Sequence, residues 1–168
     1  IACARIFRVP EREVRAALEQ AQPAKGRQCL AVAGGVTVID DTYNANPLSY
    51  GNALRTLSIL ERRGRAVLVA ADMLELGKYS ARLHREVGVQ AAAARLDALF
   101  TCGSHARLIG RAARQKRPSM MVRHFSDQAA LARALRAYLR PGDLFLCKGS
   151  RGMHMEKVTE DIVTFLKG

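Results

Sequence analysis

The sequence predicts a doubly wound α/β domain, in which helices cover both faces of a mostly parallel sheet. Segments typical of strands and of helices alternate four times along the chain. The strand segments are apolar throughout, as expected for parallel strands that are buried on both faces. Two of them flank Gly34-Gly35, a pair typical of a tight antiparallel hairpin. We therefore expect a Rossmann-like, three-layer fold whose sheet has about six strands, with an antiparallel strand at one edge.

The first predicted element is a helix over residues 10–21, with Pro10 suited to its first turn. Pro23 and Gly26 then interrupt the helical pattern. Residues 22–27 are therefore the best candidate for a linker between this helix and the α/β region.

The α/β region follows the linker. We expect strands over residues 28–33, 36–40, 66–71, 99–102, 120–125 and 144–147. We expect helices over residues 48–63, 80–95 and 104–116, a fourth helix that ends at residue 139, and a last helix over residues 153–166. Ser80 and Ser126 stand where the second and fourth of these helices need a side-chain cap.

Composition limits the class of protein. With 168 residues, 49% of them hydrophobic, the chain is long enough for one domain with a buried core and too apolar for global disorder. Cys29, Cys102 and Cys147 lie in predicted strands, where a thiol behaves as a small hydrophobic group, and Cys3 precedes them. Neither the cysteines nor the dispersed histidines have a metal-binding spacing, so we expect no metal site in this chain. Cysteines without a disulfide pattern favour a reducing, cytoplasmic location.

The charge is strongly positive, with 27 Lys and Arg against 15 Asp and Glu, a net charge of +12. Such a charge fits a nucleic acid or another anionic partner. The arginines are scattered singly along predicted helices, however, and only 5% of residues are aromatic. This distribution favours solvated helix faces, and small anions such as nucleotides remain suitable ligands.

Ligands of doubly wound sheets bind beyond the carboxyl ends of the strands. In this chain those ends are followed by residues 40–47, 72–77, 103–105 and 148–152, where polar residues and glycines are concentrated. A binding site is therefore expected at this edge of the sheet.

Residues 40–47 form the densest of these polar loops. Asp40, Asp41, Tyr43 and Asn44 offer carboxylates, a phenol and an amide that can bind ribose hydroxyls, a hydrated cation, a base or a phosphate. Helix capping is the alternative, with Asn46 as the N-cap before a proline. Capping accounts for the end of the loop but not for the paired aspartates or Tyr43, so a ligand is favoured.

The other candidate residues have simpler alternatives. Lys148, Ser150 and Arg151, in a glycine-containing turn before a helix, can bind an anion or can form an ordinary basic turn. Asp72 can bind an ammonium group or cap a turn, and Arg27 by itself is more typical of a solvated side chain. The phosphate-binding GxxxxGK[ST] motif is absent from the sequence, and no complete catalytic set is identifiable.

Three strings of residues resemble the Mur ligases: Ile39 to Pro47 (IDDTYNANP), Asp72 to Gly77 (DMLELG) and Lys148 to Met153 (KGSRGM). They are most similar to the members that join D-Ala-D-Ala to UDP-N-acetylmuramoyl-tripeptide. The resemblance extends in order over essentially the whole chain. It implies that residues 1–22 are the last helical piece of a central ATPase domain and that residues 23–168 are the C-terminal domain.

The resemblance implies an ATP- and Mg²⁺-dependent ligase of peptidoglycan biosynthesis. ATP phosphorylates a carboxylate of UDP-N-acetylmuramoyl-tripeptide, and the amine of D-Ala-D-Ala then displaces the phosphate to form an amide. The C-terminal domain is expected to close over the ATPase domain, exclude water and position the amine. ATP and Mg²⁺ would be bound mainly by the central domain, and neither a specific nucleic acid nor membrane insertion is expected.

The resemblance also implies roles for individual residues. The nucleotide would be contacted by Arg27, Asp41, Tyr43, Asn44 and Asn46. The incoming dipeptide would be contacted by Asp72, Met73, Lys148, Ser150 and Arg151.

Two features depart from the family pattern. Ala71 stands where the family usually has glycine, and its methyl group is expected to tighten the crevice. The phosphate loop of the ATPase domain is absent, so this chain alone is expected to be inactive.

The alternative functions are another Mur-type or folylpolyglutamate-type ligase domain and a basic nucleic-acid-binding α/β module. In the intact enzyme, Asp41→Ala is expected to raise KM for ATP and to leave the fold intact.

Overall fold

A computed structural model describes residues 2–168. Its helices are α1 (Ala2–Ile6), α2 (Glu11–Gln20), α3 (Pro47–Ile59), α4 (Ser80–Ala93), α5 (Ala106–Lys116), α6 (Gln128–Tyr138) and α7 (Glu156–Lys167). Its strands are β1 (Cys29–Ala33), β2 (Val36–Asp41), β3 (Ala66–Ala71), β4 (Ala98–Cys102), β5 (Met121–Phe125) and β6 (Leu144–Lys148). Short 3-10 turns at Gly77–Tyr79 and Arg151–Met153 precede α4 and α7.

The strands form one sheet in the order β1-β2-β6-β3-β4-β5. β1 pairs antiparallel with β2, and all the other pairs are parallel. The predicted fold class, a mostly parallel sheet with one antiparallel edge strand, is therefore confirmed. The last strand, β6, is inserted between β2 and β3, so the carboxyl ends of three strands distant in sequence become neighbours.

The sheet separates two apolar layers. On one face, α3, α4 and α5 pack through residues such as Tyr50, Val87 and Ile109. On the other face, α6 and α7 pack through residues such as Leu131 and Ile162. All six residues of the central strand β3 are buried, which explains why its sequence is apolar without alternation.

Two of the predicted helix caps are wrong, and one is confirmed. Ser80 lies inside the first turn of α4, where the preceding 3-10 turn leads into the helix without a side-chain cap. Asp127, rather than Ser126, caps α6, because its carboxylate accepts a hydrogen bond from Ala130 N at 2.8 Å. Asn46 caps α3 as predicted, in a reciprocal pair of hydrogen bonds with Ser49.

The glycine pair between β1 and β2 forms the predicted tight hairpin. Both residues have positive φ, 52° at Gly34 and 74° at Gly35. A Cβ atom at Gly34 would lie 2.6 Å from the Leu166 carbonyl oxygen at the end of α7. Glycine is therefore required both by the turn and by the close approach of the last helix.

Helices α1 and α2 contribute no buried residue to the core. Ile6 and Phe7 are more than three-quarters exposed, at 77% and 79%, and Leu18 is 59% exposed. Residues 21–28 contain neither helix nor strand, so the predicted linker, residues 22–27, is extended by one residue at each end. Among residues 2–168, no helix combines the length and the hydropathy that a transmembrane segment requires.

A buried carboxylate organises the loops at the amino ends of β3 and β6. Asp143 is 2% exposed and accepts hydrogen bonds from the Arg65 side chain and backbone and from Arg140 N. Burial raises the pKa of Asp143, but these hydrogen bonds and the charge of Arg65 outweigh burial, and the pKa lies below its ordinary value.

This lowered pKa predicts a pH-dependent stability. The ionised carboxylate stabilises the fold above the ordinary carboxyl pKa of about 4, and this contribution is lost as the pH falls through the lower pKa of the folded state. Asp143→Asn is expected to lower the free energy of unfolding at pH 7 by roughly 2–3 kcal/mol and to weaken its acid dependence. Urea unfolding at pH 7 and at about pH 3–5 measures both effects. Asp161→Asn, at a half-exposed pair with Arg136, is the control, and equal effects of the two substitutions would contradict the prediction.

Candidate functional site

The three candidate loops meet at the carboxyl edge of the sheet. Ser150 joins them: its hydroxyl accepts a hydrogen bond from Leu74 N at 2.9 Å and lies 3.3 Å from the Ala45 carbonyl oxygen, to which it donates. Its backbone N–H donates to the Asp72 carbonyl at 3.0 Å. The hydroxyl and backbone of a single buried residue therefore hold residues 40–47, 72–77 and 148–152 together.

A second set of contacts fixes the strand ends beneath these loops. Tyr50, on α3, is fully buried, and its hydroxyl lies 2.7 Å from the Ala71 carbonyl oxygen and 3.1 Å from that of Lys148. The phenol thus bridges the last residues of β3 and β6. Burial raises the pKa of Tyr50 well above its ordinary value, so the hydroxyl keeps its proton and acts as a donor.

Lys148 is the most unusual residue of the site, because its side chain is only 1% exposed. Its ammonium lies 2.7 Å from Asp41 Oδ2 and 3.0 Å from the Asn44 carbonyl oxygen. Burial raises the pKa of the Asp41 carboxyl, and the hydrogen bond and charge of Lys148 oppose that rise. The pair links the ends of β2 and β6 and leaves Asp41 partly neutralised.

A cleft of about 400 Å³ opens above this ion pair and is here called the first cleft. It is lined by Arg27, Gln28, Asp41, Tyr43, Asn44, Asn46, Ser49, Asn52 and Lys148. All five residues that were predicted to contact a nucleotide therefore line one cleft.

Arg27 and Tyr43 form the outer wall of the first cleft. The guanidinium carbon of Arg27 lies 4.1 Å from the centroid of the Tyr43 ring. Tyr43 N donates a hydrogen bond to the Gly26 carbonyl at 2.8 Å, and a Cβ atom at Gly26 would lie only 3.0 Å from that nitrogen. The end of the linker is thus packed directly against the loop after β2.

A second cleft of about 260 Å³ adjoins the first. It is lined by Asn44, Ala45, Asn46, Leu74, Glu75, Leu76, Ser150, Arg151 and Gly152. Asn44 and Asn46 line both clefts, so the two spaces share one wall. Arg151 lies near the boundary, with its guanidinium carbon 6.0 Å from the centroid of the Tyr43 ring.

The shared wall offers hydrogen-bond donors. Asn44 Oδ1 accepts from Ala45 N at 2.8 Å, and Asn46 Oδ1 accepts from Ser49 N at 2.8 Å. Each amide oxygen is therefore used by the backbone, while the Nδ2 groups make no hydrogen bond within residues 2–168. Amide donors beside Arg27 and Arg151 suit anionic ligands.

Comparisons with known proteins agree with this geometry. Residues 26–151 match the protein family described as "Mur ligase, glutamate ligase domain". The chain belongs to the Mur ligase family. The match covers both clefts except for the last cleft residue, Gly152, and begins at the glycine that packs against Tyr43.

Relatives of this Mur ligase domain include two ligases of the same name from different bacteria. The UDP-N-acetylmuramoyl-tripeptide--D-alanyl-D-alanine ligase of Bacillus subtilis is 33% identical over 150 residues, which cover 83% of this chain and 33% of that protein. The corresponding enzyme of Escherichia coli is 34% identical over 148 residues, 86% of this chain and 31% of that protein. The chain spans about a third of the length of these relatives.

A solved structure agrees with the fold. MurF from Acinetobacter baumannii is 33% identical and superposes with a TM-score of 0.80, over 96% of this chain and 35% of that one.

Asp72 and Met73 line neither cleft of this Mur ligase domain, although both were predicted to contact the dipeptide. Asp72 is buried and accepts hydrogen bonds from His105 N at 3.0 Å and Ala106 N at 2.6 Å, so it caps α5. Met73 is 2% exposed and packs in the apolar layer under α3, α4 and α5. The alternative considered for Asp72 was to cap the turn that follows it, whereas the structure shows its carboxylate at the start of the distant helix α5.

Lys148 also differs from its expected position. It was predicted to contact the dipeptide with Ser150 and Arg151, but its ammonium lies at the floor of the first cleft. The expected effect of Ala71 finds no support either, because its buried methyl group packs on the α6–α7 face. A Cβ atom at Gly149 would lie 2.8 Å from that methyl group, so Gly149 provides the space for it.

The described residues do not fit a Mg²⁺ site. Within residues 2–168, no group of three His, Cys, Asp or Glu side chains is placed to hold a metal ion. Asp41 is paired with Lys148, and Asp40 Oδ1 accepts a 2.5 Å hydrogen bond from the Thr42 hydroxyl. Cys102 and Cys147 are buried in β4 and β6, as predicted for strand cysteines.

Several lining residues were missed by the sequence interpretation. Ser49 and Asn52 lie on the first turns of α3 and face the first cleft, and Gln28 precedes β1. The spacing of Ser49 and Asn52 could have indicated them, because polar residues three apart at the start of a helix after a strand lie on the same side of that helix. Glu75, which lines the second cleft, was also not predicted as a site residue.

Because Asp41 is paired with the buried Lys148, the substitution Asp41→Ala is now expected to destabilise the fold, which it was first expected to leave intact. Removal of the carboxylate would leave a buried ammonium without its counter-ion, so we expect a loss of roughly 3–5 kcal/mol in the free energy of unfolding. Asp40→Ala is the matched control, since within residues 2–168 the side chain of this neighbouring residue accepts hydrogen bonds from Thr42 alone. Urea denaturation of the chain measures both variants.

The double variant Asp41→Ala/Lys148→Met tests the cause of that loss. Because it removes both charges, it is expected to recover most of the stability lost by Asp41→Ala alone. A double variant as unstable as the single one would show that the pairing of charges is not the reason.

Proposed function

We propose that this chain is the C-terminal domain of a MurF-type ligase, which uses ATP to join D-Ala-D-Ala to UDP-N-acetylmuramoyl-tripeptide in peptidoglycan biosynthesis. The observation that carries the proposal is the pair of adjoining clefts with a shared, donor-rich wall. In the proposed enzyme the domain closes over a central ATPase domain, which provides the other half of both clefts. We place the enzyme in the cytoplasm, where a nucleotide-linked substrate and reduced cysteines are expected.

The first cleft is proposed to contact the nucleotide. Its donors Arg27, Asn44 and Asn46 suit phosphate oxygens, and Asp41 remains able to accept a hydrogen bond from a ribose hydroxyl. The exposed face of Tyr43 is available for stacking. Support comes from a related structure, MurF of Thermotoga maritima in complex with ADP, which is 28% identical and has a TM-score of 0.73 over 88% of this chain and 32% of that one.

The second cleft is proposed to receive the dipeptide. Its volume of about 260 Å³ lies at the small end of ligand pockets and suits a short peptide with small side chains. Arg151 would bind the dipeptide carboxylate, and Ser150 would keep the loops in position around it. Asp72 and Met73 would keep the loop of residues 72–77 in position beside this cleft. Asp72 does so by capping α5, and Met73 does so by packing in the apolar layer.

The shared wall determines how the chain would assist the reaction. ATP supplies the phosphoryl group that activates the peptide carboxylate, and the phosphate leaves when the amine forms the new amide bond. Asn44 and Asn46, which line both clefts, would donate hydrogen bonds to the transferred phosphate while the amine approaches from the second cleft. Closure of the domain would exclude water, which would otherwise hydrolyse the activated carboxylate.

The remaining functions are assigned to other parts of the enzyme. We propose that residues 1–22 belong to the central ATPase domain and that residues 23–168 form the C-terminal domain. The exposed apolar side chains of Ile6, Phe7 and Leu18 would then pack within the ATPase domain. Mg²⁺ and most of the ATP contacts would also lie there, because the described residues fit no metal and the sequence lacks the phosphate-binding motif.

The outer wall of the first cleft provides a test of nucleotide binding. In the full-length ligase, Arg27→Ala is expected to raise KM for ATP by roughly ten-fold, because a charge-assisted contact is lost, while KM for D-Ala-D-Ala stays unchanged. Steady-state kinetics with each substrate varied in turn measures this. Arg55→Ala, an exposed arginine on α3 outside both clefts, is the control, and an Arg27 variant that behaves like it would refute the assignment.

The isolated chain provides a second test. Mixed with ATP, Mg²⁺, UDP-N-acetylmuramoyl-tripeptide and D-Ala-D-Ala, it is expected to release no ADP above background, because it lacks the phosphate-binding loop. A coupled assay for ADP measures this, with the full-length ligase as the positive control. ADP release by the chain alone would contradict the proposed division of labour.

A further inference from the structure

Glu75 presents an unpaired carboxylate to the second cleft. The residue is exposed, lines the cleft, and makes no salt bridge or side-chain hydrogen bond within residues 2–168. The other carboxylates of the site are engaged, since Asp41 pairs with Lys148 and Asp72 caps α5. Among residues 2–168, Glu75 is therefore the one carboxylate lining either cleft that is free to bind a cation.

The backbone of Glu75 supports a functional role. Its φ is +64°, in the left-handed region that residues other than glycine rarely adopt. Hydrogen bonds hold the preceding residues: Met73 N donates to His84 Nε2 at 3.0 Å, and Leu74 N donates to the Ser150 hydroxyl. Backbone strain of this kind is concentrated at binding sites, and Glu75 shows it at a position that lines the second cleft.

The chemistry of the incoming substrate matches this carboxylate. A dipeptide amine has an ordinary pKa of about 8, so it arrives mainly as an ammonium group at neutral pH. Most of the other polar side chains around it, including Arg151 and the amides of Asn44 and Asn46, are donors or cations and do not attract an ammonium.

The apolar part of the cleft lies next to Glu75. The Leu74 side chain is 41% exposed, and a Cβ atom at Gly152 would lie 2.8 Å from its Cδ1. Leu74 therefore packs tightly over Gly152 and contributes an apolar surface to the cleft that Glu75 and Arg151 also line. Such a surface suits small side chains such as the methyl groups of alanine.

We infer that Glu75 binds the ammonium group of the incoming dipeptide and thereby sets the orientation in which the dipeptide enters the second cleft. This inference rests on the proposed function. Glu75 is assigned to the ammonium group of the dipeptide, which becomes the nucleophile once it has lost a proton, and Arg151 is assigned to the carboxylate of the dipeptide.

The test uses the full-length ligase and two substitutions. Glu75→Gln removes the charge and keeps the size of the side chain, whereas Glu75→Gly removes the side chain and relieves the left-handed backbone. Both are expected to raise KM for D-Ala-D-Ala by roughly ten- to a hundred-fold and to leave KM for ATP unchanged. The melting temperature of the glycine variant is expected to be equal or higher. Glu61→Gln, an exposed carboxylate at the amino edge of the sheet, is the matched control.

A competitor without an ammonium group separates binding from a structural effect. For the wild-type ligase, the inhibition constant of N-acetyl-D-Ala-D-Ala is expected to be much higher than KM for D-Ala-D-Ala. In Glu75→Gln the preference for the free amine should fall by the same factor as the increase in KM.

The outcomes are distinct. An unchanged KM for the dipeptide, an unchanged preference for the free amine, or a parallel rise in KM for ATP and dipeptide would each overturn the role of Glu75 and leave the proposed function standing. A full-length ligase that does not join D-Ala-D-Ala to UDP-N-acetylmuramoyl-tripeptide with ATP would overturn both.

Discussion

The ion pair between Lys148 and Asp41 is the contact on which the site depends. A lysine ammonium that is almost fully buried is costly unless a carboxylate and further hydrogen bonds compensate for the loss of water. Here Asp41 and the Asn44 carbonyl provide that compensation, 2.7 Å and 3.0 Å from the ammonium. The pair therefore fixes the loop after β2 against the end of β6, and it forms the charged floor of the first cleft.

The order of the strands makes this pair possible. β6 enters the sheet between β2 and β3, with α3 and α4 on one face and α7 on the other. Connections that leave neighbouring strands toward opposite faces open a crevice at the strand ends, where doubly wound folds bind their ligands. In this Mur ligase domain the crevice is divided by Asn44 and Asn46, so two ligands can lie side by side on one rigid edge.

Much of this arrangement could be predicted from the sequence. Uninterrupted apolar segments such as 66–71 identified the parallel strands, and Gly34-Gly35 identified the hairpin. Five polar residues chosen for a nucleotide, among them Arg27 and Tyr43, line the same cleft. The rule that ligands bind at the carboxyl ends of strands directed attention to the loops that the fold brings together at one edge of the sheet.

The remaining features depend on tertiary contacts that no local pattern encodes. The position of β6 between β2 and β3 is set by packing of both layers, and it determines that Lys148 is buried rather than exposed. The sequence suggested that Asp72 contacts the dipeptide. In the fold, the first turn of α5 lies next to Asp72, and its carboxylate caps that helix. The positive φ of Glu75 is likewise not indicated by its residue type, since glutamate rarely adopts this conformation.

Hydrogen–deuterium exchange of the full-length ligase, with ADP alone and then with D-Ala-D-Ala added, shows whether each ligand occupies its own cleft. ADP is expected to slow exchange in residues 26–28 and 41–46. The dipeptide should then slow exchange in residues 74–76 and 150–152. Slowed exchange in residues 61–65 and 140–143, at the amino edge of the sheet, with none in the two clefts, would contradict the assignment of one ligand to each cleft.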